Sequence, residues 1–236
     1  MKIWVRFAIG LATLATLAAV PHDAFAADAA HPTVVELFQS QGCSDCPPAE
    51  ANLAAISDRA DVLALAFAVD YWDRLGWKDT FSKPEWTQRQ YAYARALKRD
   101  GVYTPQFVVN GRVEGVGGDA AGLAELVRQG ERGDEGPSVR FQGAAVTVGA
   151  GKAPPAGAEV LLILYDPRTV EIAVRRGENA GRTLPQRNVV HDVALLGWWR
   201  GLAATFQLPE MAESGLAQAA IVQEAGSGPV LAAGKR

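Results

Sequence analysis

The chain has 236 residues, 49% of them hydrophobic, and a formal net charge of −3, which excludes a disordered chain and a basic nucleic-acid-binding surface. Its two cysteines are too few for a disulfide scaffold, and the short loop they could close restrains an unfolded chain little. Two thiols, Cys43 and Cys46, at C-x-x-C spacing instead suit reversible disulfide exchange.

Residues 1–26 read as a secretory signal: Lys2 and Arg6, an uncharged apolar run at 7–20, then the small-x-small site Ala24-Phe25-Ala26. That predicts a secreted or periplasmic protein with no membrane span in the mature chain, in a space where disulfides persist. Roughly 210 residues remain, enough for one large domain or two small ones. Residues 33–38 predict a buried strand, 39–42 a turn, and 49–59 a helix with Ala49, Leu53 and Ile56 on one face and Glu50 in water. Residues 62–69 are apolar on both faces, as an interior parallel strand requires. An aromatic connection at 70–83 leads to a second helix from Pro84 to about Arg99. A third strand at 106–109 turns at Asn110-Gly111 into an antiparallel strand at 112–116, and Asp119 caps a helix over 120–129. A polar, glycine-rich linker occupies 131–137. Beyond it, short strands with turn signals predict a small β-sandwich over 138–236, including hairpins about 166–168 and 225–228.

Strand, helix, strand, helix, strand, hairpin, strand and helix, with a thiol pair at the first strand-to-helix junction, resembles the thioredoxin topology. The expected fold class is therefore an α/β thioredoxin-like domain at 27–130 followed by a mostly-β, sandwich-like domain at 138–236. The resemblance implies that Cys43 is exposed and attacks, that Cys46 is covered and resolves, and that Pro105 is a cis proline facing the thiols. It also implies a buried acid on the first strand. Glu36 is the candidate, but its spacing is one residue longer, and a one-residue slip turns a side chain to the other face. Glu36 is thus either a proton acceptor or a salt-bridged structural acid; Asp70 has a weaker claim of the same kind. Asp45, between the thiols, opposes thiolate formation unless it points to solvent.

Four stretches carry a closer resemblance: residues 35–50 around the thiols, 70–79 (Asp-Tyr-Trp-Asp-Arg-Leu-Gly-Trp-Lys-Asp), 101–106 (Gly-Val-Tyr-Thr-Pro-Gln) and 179–184 (Asn-Ala-Gly-Arg-Thr-Leu). Together they resemble a secreted, thioredoxin-like bacterial family known only as domain of unknown function 1223. That family supplies no substrate, so chemistry must. The reading is a thiol–disulfide oxidoreductase with a protein or small-thiol partner and no cofactor beyond a Cys43–Cys46 disulfide. Trp72 and Trp77 either form a binding lip or cover a sheet edge, and 179–184 is either a functional loop or a tight connection. Two other readings compete. One is copper handling, with His31 or His191 joining the thiolates. The other is a binding or assembly protein with a vestigial thiol pair.

Overall fold

The computed structural model describes Met1, residues 27–210 and residues 215–236. The signal read at 1–26 thus lies, apart from Met1, outside the described residues. Strand β1 (Thr33–Gln39) is buried at every position. It pairs in parallel with β2 (Val62–Ala68) and antiparallel with β3 (Gln106–Val109), which pairs with β4 (Val113–Gly115). Helix α1 (Cys46–Ile56) connects β1 to β2, α2 (Pro84–Ala96) connects β2 to β3, and α3 (Ala120–Gln129) follows β4. Pro47 and Pro48 sit in the first turn of α1, where a missing N–H breaks no helical bond. At α3 the Asp119 side chain accepts the Gly122 N–H at 2.7 Å, as its capping position predicts.

Alternation along β1 sends its side chains into two cores. Val35 and Leu37 pack with Ala49 and Leu53 of α1 and Leu123 of α3. Val34 and Phe38 share a larger core with Trp86 and Tyr93 of α2 and with Ile163, Val190, Ile221 and Val230 from the second half of the chain. That second half continues the same sheet. Strands β7 (Ala158–Asp166), β10 (Val189–Trp199), β12 (Ala217–Glu224) and β13 (Val230–Lys235) complete an eight-stranded mixed sheet of order β13-β12-β7-β10-β2-β1-β3-β4. The junction lies at β2, where Val189 of β10 stands opposite Ala66. The Ala66 N–H donates to Asn188 O at 2.9 Å, and Asn188 Nδ2 donates to Ala64 O at 2.7 Å.

This corrects the expected fold class. The chain does not form a thioredoxin-like domain followed by a separate β-sandwich; one large mixed sheet crosses the expected boundary. The physical reason is in β2. A strand apolar on both faces needs cover and a neighbour on each edge, and β1 supplies only one edge. The second edge is filled by β10, and the second half covers the α2 side of the sheet. The hairpin expected about 166–168 also does not form. β7 pairs with β10 and β12, while β8 (Val170–Ala173) leaves the sheet to pair with β9 (Thr183–Gln186). The hairpin about 225–228 does form, between β12 and β13. A three-stranded sheet of β5 (Val139–Gln142), β6 (Ala145–Val148) and β11 (Ala204–Gln207) packs through Val146 and Val148 against Val160, Trp199 and Val222. Among the described residues no helix is long and apolar enough to cross a membrane.

Candidate functional site

Cys43 and Cys46 are joined as a disulfide with their Cα atoms 5.5 Å apart. Cys46 opens α1, and Cys43 lies in the turn that leads into it. That turn is held by Cys43 N–H donating to Ser40 O at 3.0 Å and Cys46 N–H donating to Cys43 O at 3.3 Å. Both cysteines are sealed: Cys43 is 1% exposed and Cys46 0%. This corrects the expectation of an exposed attacking sulfur. Ser44 and Asp45, between them, are exposed, so only the rim of the turn meets water.

The segment between β8 and β9, far away in sequence, is bonded to this turn. Asn179 is fully buried and donates both amide hydrogens, to Gln41 O at 3.0 Å and Cys43 O at 2.9 Å. Its Oδ1 accepts Arg182 Nη1 at 2.6 Å. Glu178 accepts the Ser44 N–H at 3.1 Å. Of the two readings of 179–184, the structure shows the tight connection: the segment closes the β8–β9 hairpin, with Val174 N–H donating to Arg182 O and Gly181 N–H to Val174 O, both at 2.9 Å, while its side chains bond the backbone of the thiol turn.

The aromatic connection braces the same turn. Trp77 Nε1 donates to Gln41 Oε1 at 3.0 Å, and Asp79 Oδ2 accepts the Gln41 N–H at 2.7 Å. Trp72 lies against Gly42, where an added Cβ would meet the Trp72 Cβ at 3.3 Å. Its Nε1 donates to Thr104 Oγ1 at 2.8 Å, and Thr104–Pro105 is a cis peptide bond. Through Trp72, the turn bearing Cys43 is therefore tied to the loop bearing Pro105. Residues 35–50, 70–79, 101–106 and 179–184 all meet here.

The Glu36 side chain, within the first of these stretches, does not face the turn. It points to the α2 side of β1, away from α1, as the longer spacing allowed. There Arg89 donates to both of its oxygens, at 2.9 and 2.7 Å, and the Tyr93 hydroxyl donates at 3.0 Å. Arg89 also donates to Gln223 Oε1 at 3.0 Å, so this buried pair binds β1, α2 and β12 together. Removing one partner of such a pair costs roughly 3–5 kcal/mol. Asp70 is tied to α2, its Oδ1 accepting Thr87 Oγ1 at 2.6 Å. His31 pairs with Asp28 at 3.0 Å, and the His191 ring lies 5.7 Å from that of Phe81. Among the described residues no group of three or more His, Cys, Asp or Glu could hold a metal ion.

The sequence reading missed Gln41, Asp79, Asn179 and Glu50. Glu50 was expected in water. Instead both of its carboxylate oxygens are buried and lack a hydrogen-bond partner, although part of its stem meets solvent. Burial pushes its carboxyl up to about 7; the Asp79 charge adds to this, while Gln186 and Arg182 oppose it. Gln186 Oε1 accepts Gln39 Nε2 at 3.0 Å, and Gln186 Nε2 completes no hydrogen bond. Burial likewise pushes Asp79 up to about 6, against the N–H bonds from Gln41 and Phe81. The signal for Glu50 was its spacing of four from Cys46, which puts the two on one side of α1.

A family model described as "Protein of unknown function (DUF1223)" matches residues 34–223. A crystal structure of a protein from Agrobacterium tumefaciens is similar, with 34% identity, a TM-score of 0.73 and coverage of 89% of this chain and 94% of that one. Comparison with curated proteins finds no match.

Proposed function

This chain belongs to the DUF1223 family, whose function is unknown, and we propose from its own chemistry that it exchanges thiols and disulfides through Cys43 and Cys46. The observation that carries the reading is the disulfide at the start of α1, on which three distant stretches converge. A helix N-terminus favours a thiolate there, and a loop of four residues adds too little to stability to account for the pair. The working partner is a thiol or disulfide outside the chain. Because both sulfurs are sealed, the partner reaches Cys43 only after the segment bearing Glu178 and Asn179 moves aside.

Incubation of reduced variants with oxidised glutathione tests this. Cys46→Ser is expected to accumulate a mixed disulfide on Cys43, seen by intact mass, while Cys43→Ser is not. Burial of both sulfurs favours a second reading, in which the disulfide is a permanent clip on the turn. A wild-type disulfide that stays oxidised in excess dithiothreitol, under conditions that leave the fold intact, would establish the clip and end the exchange reading.

A further inference from the structure

Glu50 follows Cys46 by one turn of α1, a spacing that brings side-chain Cβ atoms to about 5–6 Å. It flanks the buried stripe of Cys46, Ala49 and Leu53. A buried polar group with no partner costs about 1–3 kcal/mol, more when charged, and both Glu50 oxygens are in that position. In the disulfide form Gln186 stands near them without completing a hydrogen bond. Breaking the Cys43–Cys46 bond, however, creates a new proton-accepting group on the same side of the helix. The neighbouring acid is already committed: Asp79 accepts Gln41 N–H with one oxygen and Phe81 N–H, at 2.9 Å, with the other.

We propose that Glu50 donates the proton that the Cys46 sulfur takes up when the disulfide opens, and receives it back when the disulfide forms; the proposal rests on the exchange reading above. With a dithiol as reductant, one of its thiolates attacks Cys43 Sγ and the S–S bond breaks. The electron pair leaves on Cys46 Sγ, which takes the Glu50 proton. The second thiol of the reductant, as thiolate, attacks its own sulfur in the mixed disulfide and releases Cys43 as thiolate. Solvent then reprotonates Glu50 and Cys43. In sum the dithiol loses two electrons and two protons, and the protein gains both. The groups that face Glu50 are Asp79 from the aromatic connection, Arg182 from the segment between β8 and β9 and Gln186 from β9; of these Asp79 holds the proton on Glu50 and the other two oppose it. Burial, the largest influence, places the titration close to neutral pH.

The test is the rate of disulfide reduction by dithiothreitol from pH 5 to 9, corrected for the thiolate fraction of the reagent. Wild type is expected to show a step near pH 7, with faster reduction on its acid side. Glu50→Gln should lose the step and react roughly 100-fold more slowly below it, the low end of what a positioned acid supplies. Glu50→Asp keeps a carboxyl and should restore a step. As a check that needs no variant, infrared difference spectra of reduced minus oxidised wild type at pH 6 should show a shift of a protonated-carboxyl band, since the reprotonated Glu50 then stands beside a Cys46 thiol in place of a disulfide. An unreactive wild type overturns the exchange reading and this proposal together. A reactive wild type whose profile survives Glu50→Gln, or whose carboxyl band does not change, overturns this proposal alone.

Discussion

Asn179 closes the thiol turn with one side chain. Its two donated hydrogen bonds are buried, each worth about 1 kcal/mol net. Asn179→Ala should raise the rate of disulfide reduction by dithiothreitol about tenfold; an unchanged rate would show that this segment does not govern access. Glu50 and Asp79 make stability depend on pH in an unusual direction. Both carboxyls sit above their ordinary values of 4.5 and 3.8. The folded state therefore holds their protons more tightly than the unfolded chain does. That contribution is complete below the unfolded values and lost as pH rises through about 6 and 7. It is of order 2 kcal/mol for each group. Melting temperature should accordingly fall between pH 5 and 8, and Glu50→Gln should flatten the fall; a wild-type melting temperature that is level or rising over this range would refute the argument.

At the scale of elements, the Asn110-Gly111 turn joins more than its own hairpin. Both residues have positive φ, 48° and 62°, as a tight hairpin turn of this type requires. Asn110 is fully buried. Its Oδ1 accepts Val34 N–H from β1 at 2.9 Å, its Nδ2 donates to Gly130 O beyond α3 at 2.9 Å, and its carbonyl accepts Val230 N–H from β13 at 2.8 Å. A Cβ on Gly111 would stand 2.4 Å from Gly228 O, in the turn between β12 and β13. Both sides of that contact are backbone, so neither gives way. Gly111→Ala should cost more than about 2 kcal/mol in chemical denaturation, combining the strained φ with the clash. A loss below about 1 kcal/mol would mean that the β12–β13 hairpin shifts freely against β3. Elements themselves were largely legible: apolar runs at β1, β2 and β3, Pro84 opening α2 and Asp119 capping α3. Pairing was less so. Asp166-Pro167-Arg168 carries turn residues, and Asp166 does bond Arg168 N at 3.0 Å. A local turn, however, does not say which strand takes the open edge, and the edges of β7 went to β10 and β12.

Across the whole molecule, the core that contains Phe38, Phe67 and Tyr93 also contains Ile163, Ile221 and Val230. The expected domain at 27–130, made alone, would expose that face and the β10 edge of β2. Each large apolar side chain uncovered forfeits about 1.5–3 kcal/mol, against a total stability of about 5–15 kcal/mol for a domain. A chain ended after Gly130 should therefore fail to give a cooperative thermal transition. A sharp transition with native-like amide protection in β1 and β2 would show that the first half folds by itself.

The residues alone determined the chemistry on offer: two thiols at exchange spacing, a helix to start beside them, and a β2 too apolar to be left at an edge. Tertiary structure decided access and surroundings. Asn179 and Glu178 lie more than a hundred residues from the thiols, and only the closing of one sheet through β2 brings them to the turn that bears Cys43. The physical reason is range: periodicity, capping and turn preference act between neighbours in the chain, whereas burial of a sulfur or a carboxyl is set by whichever distant segment packs across it.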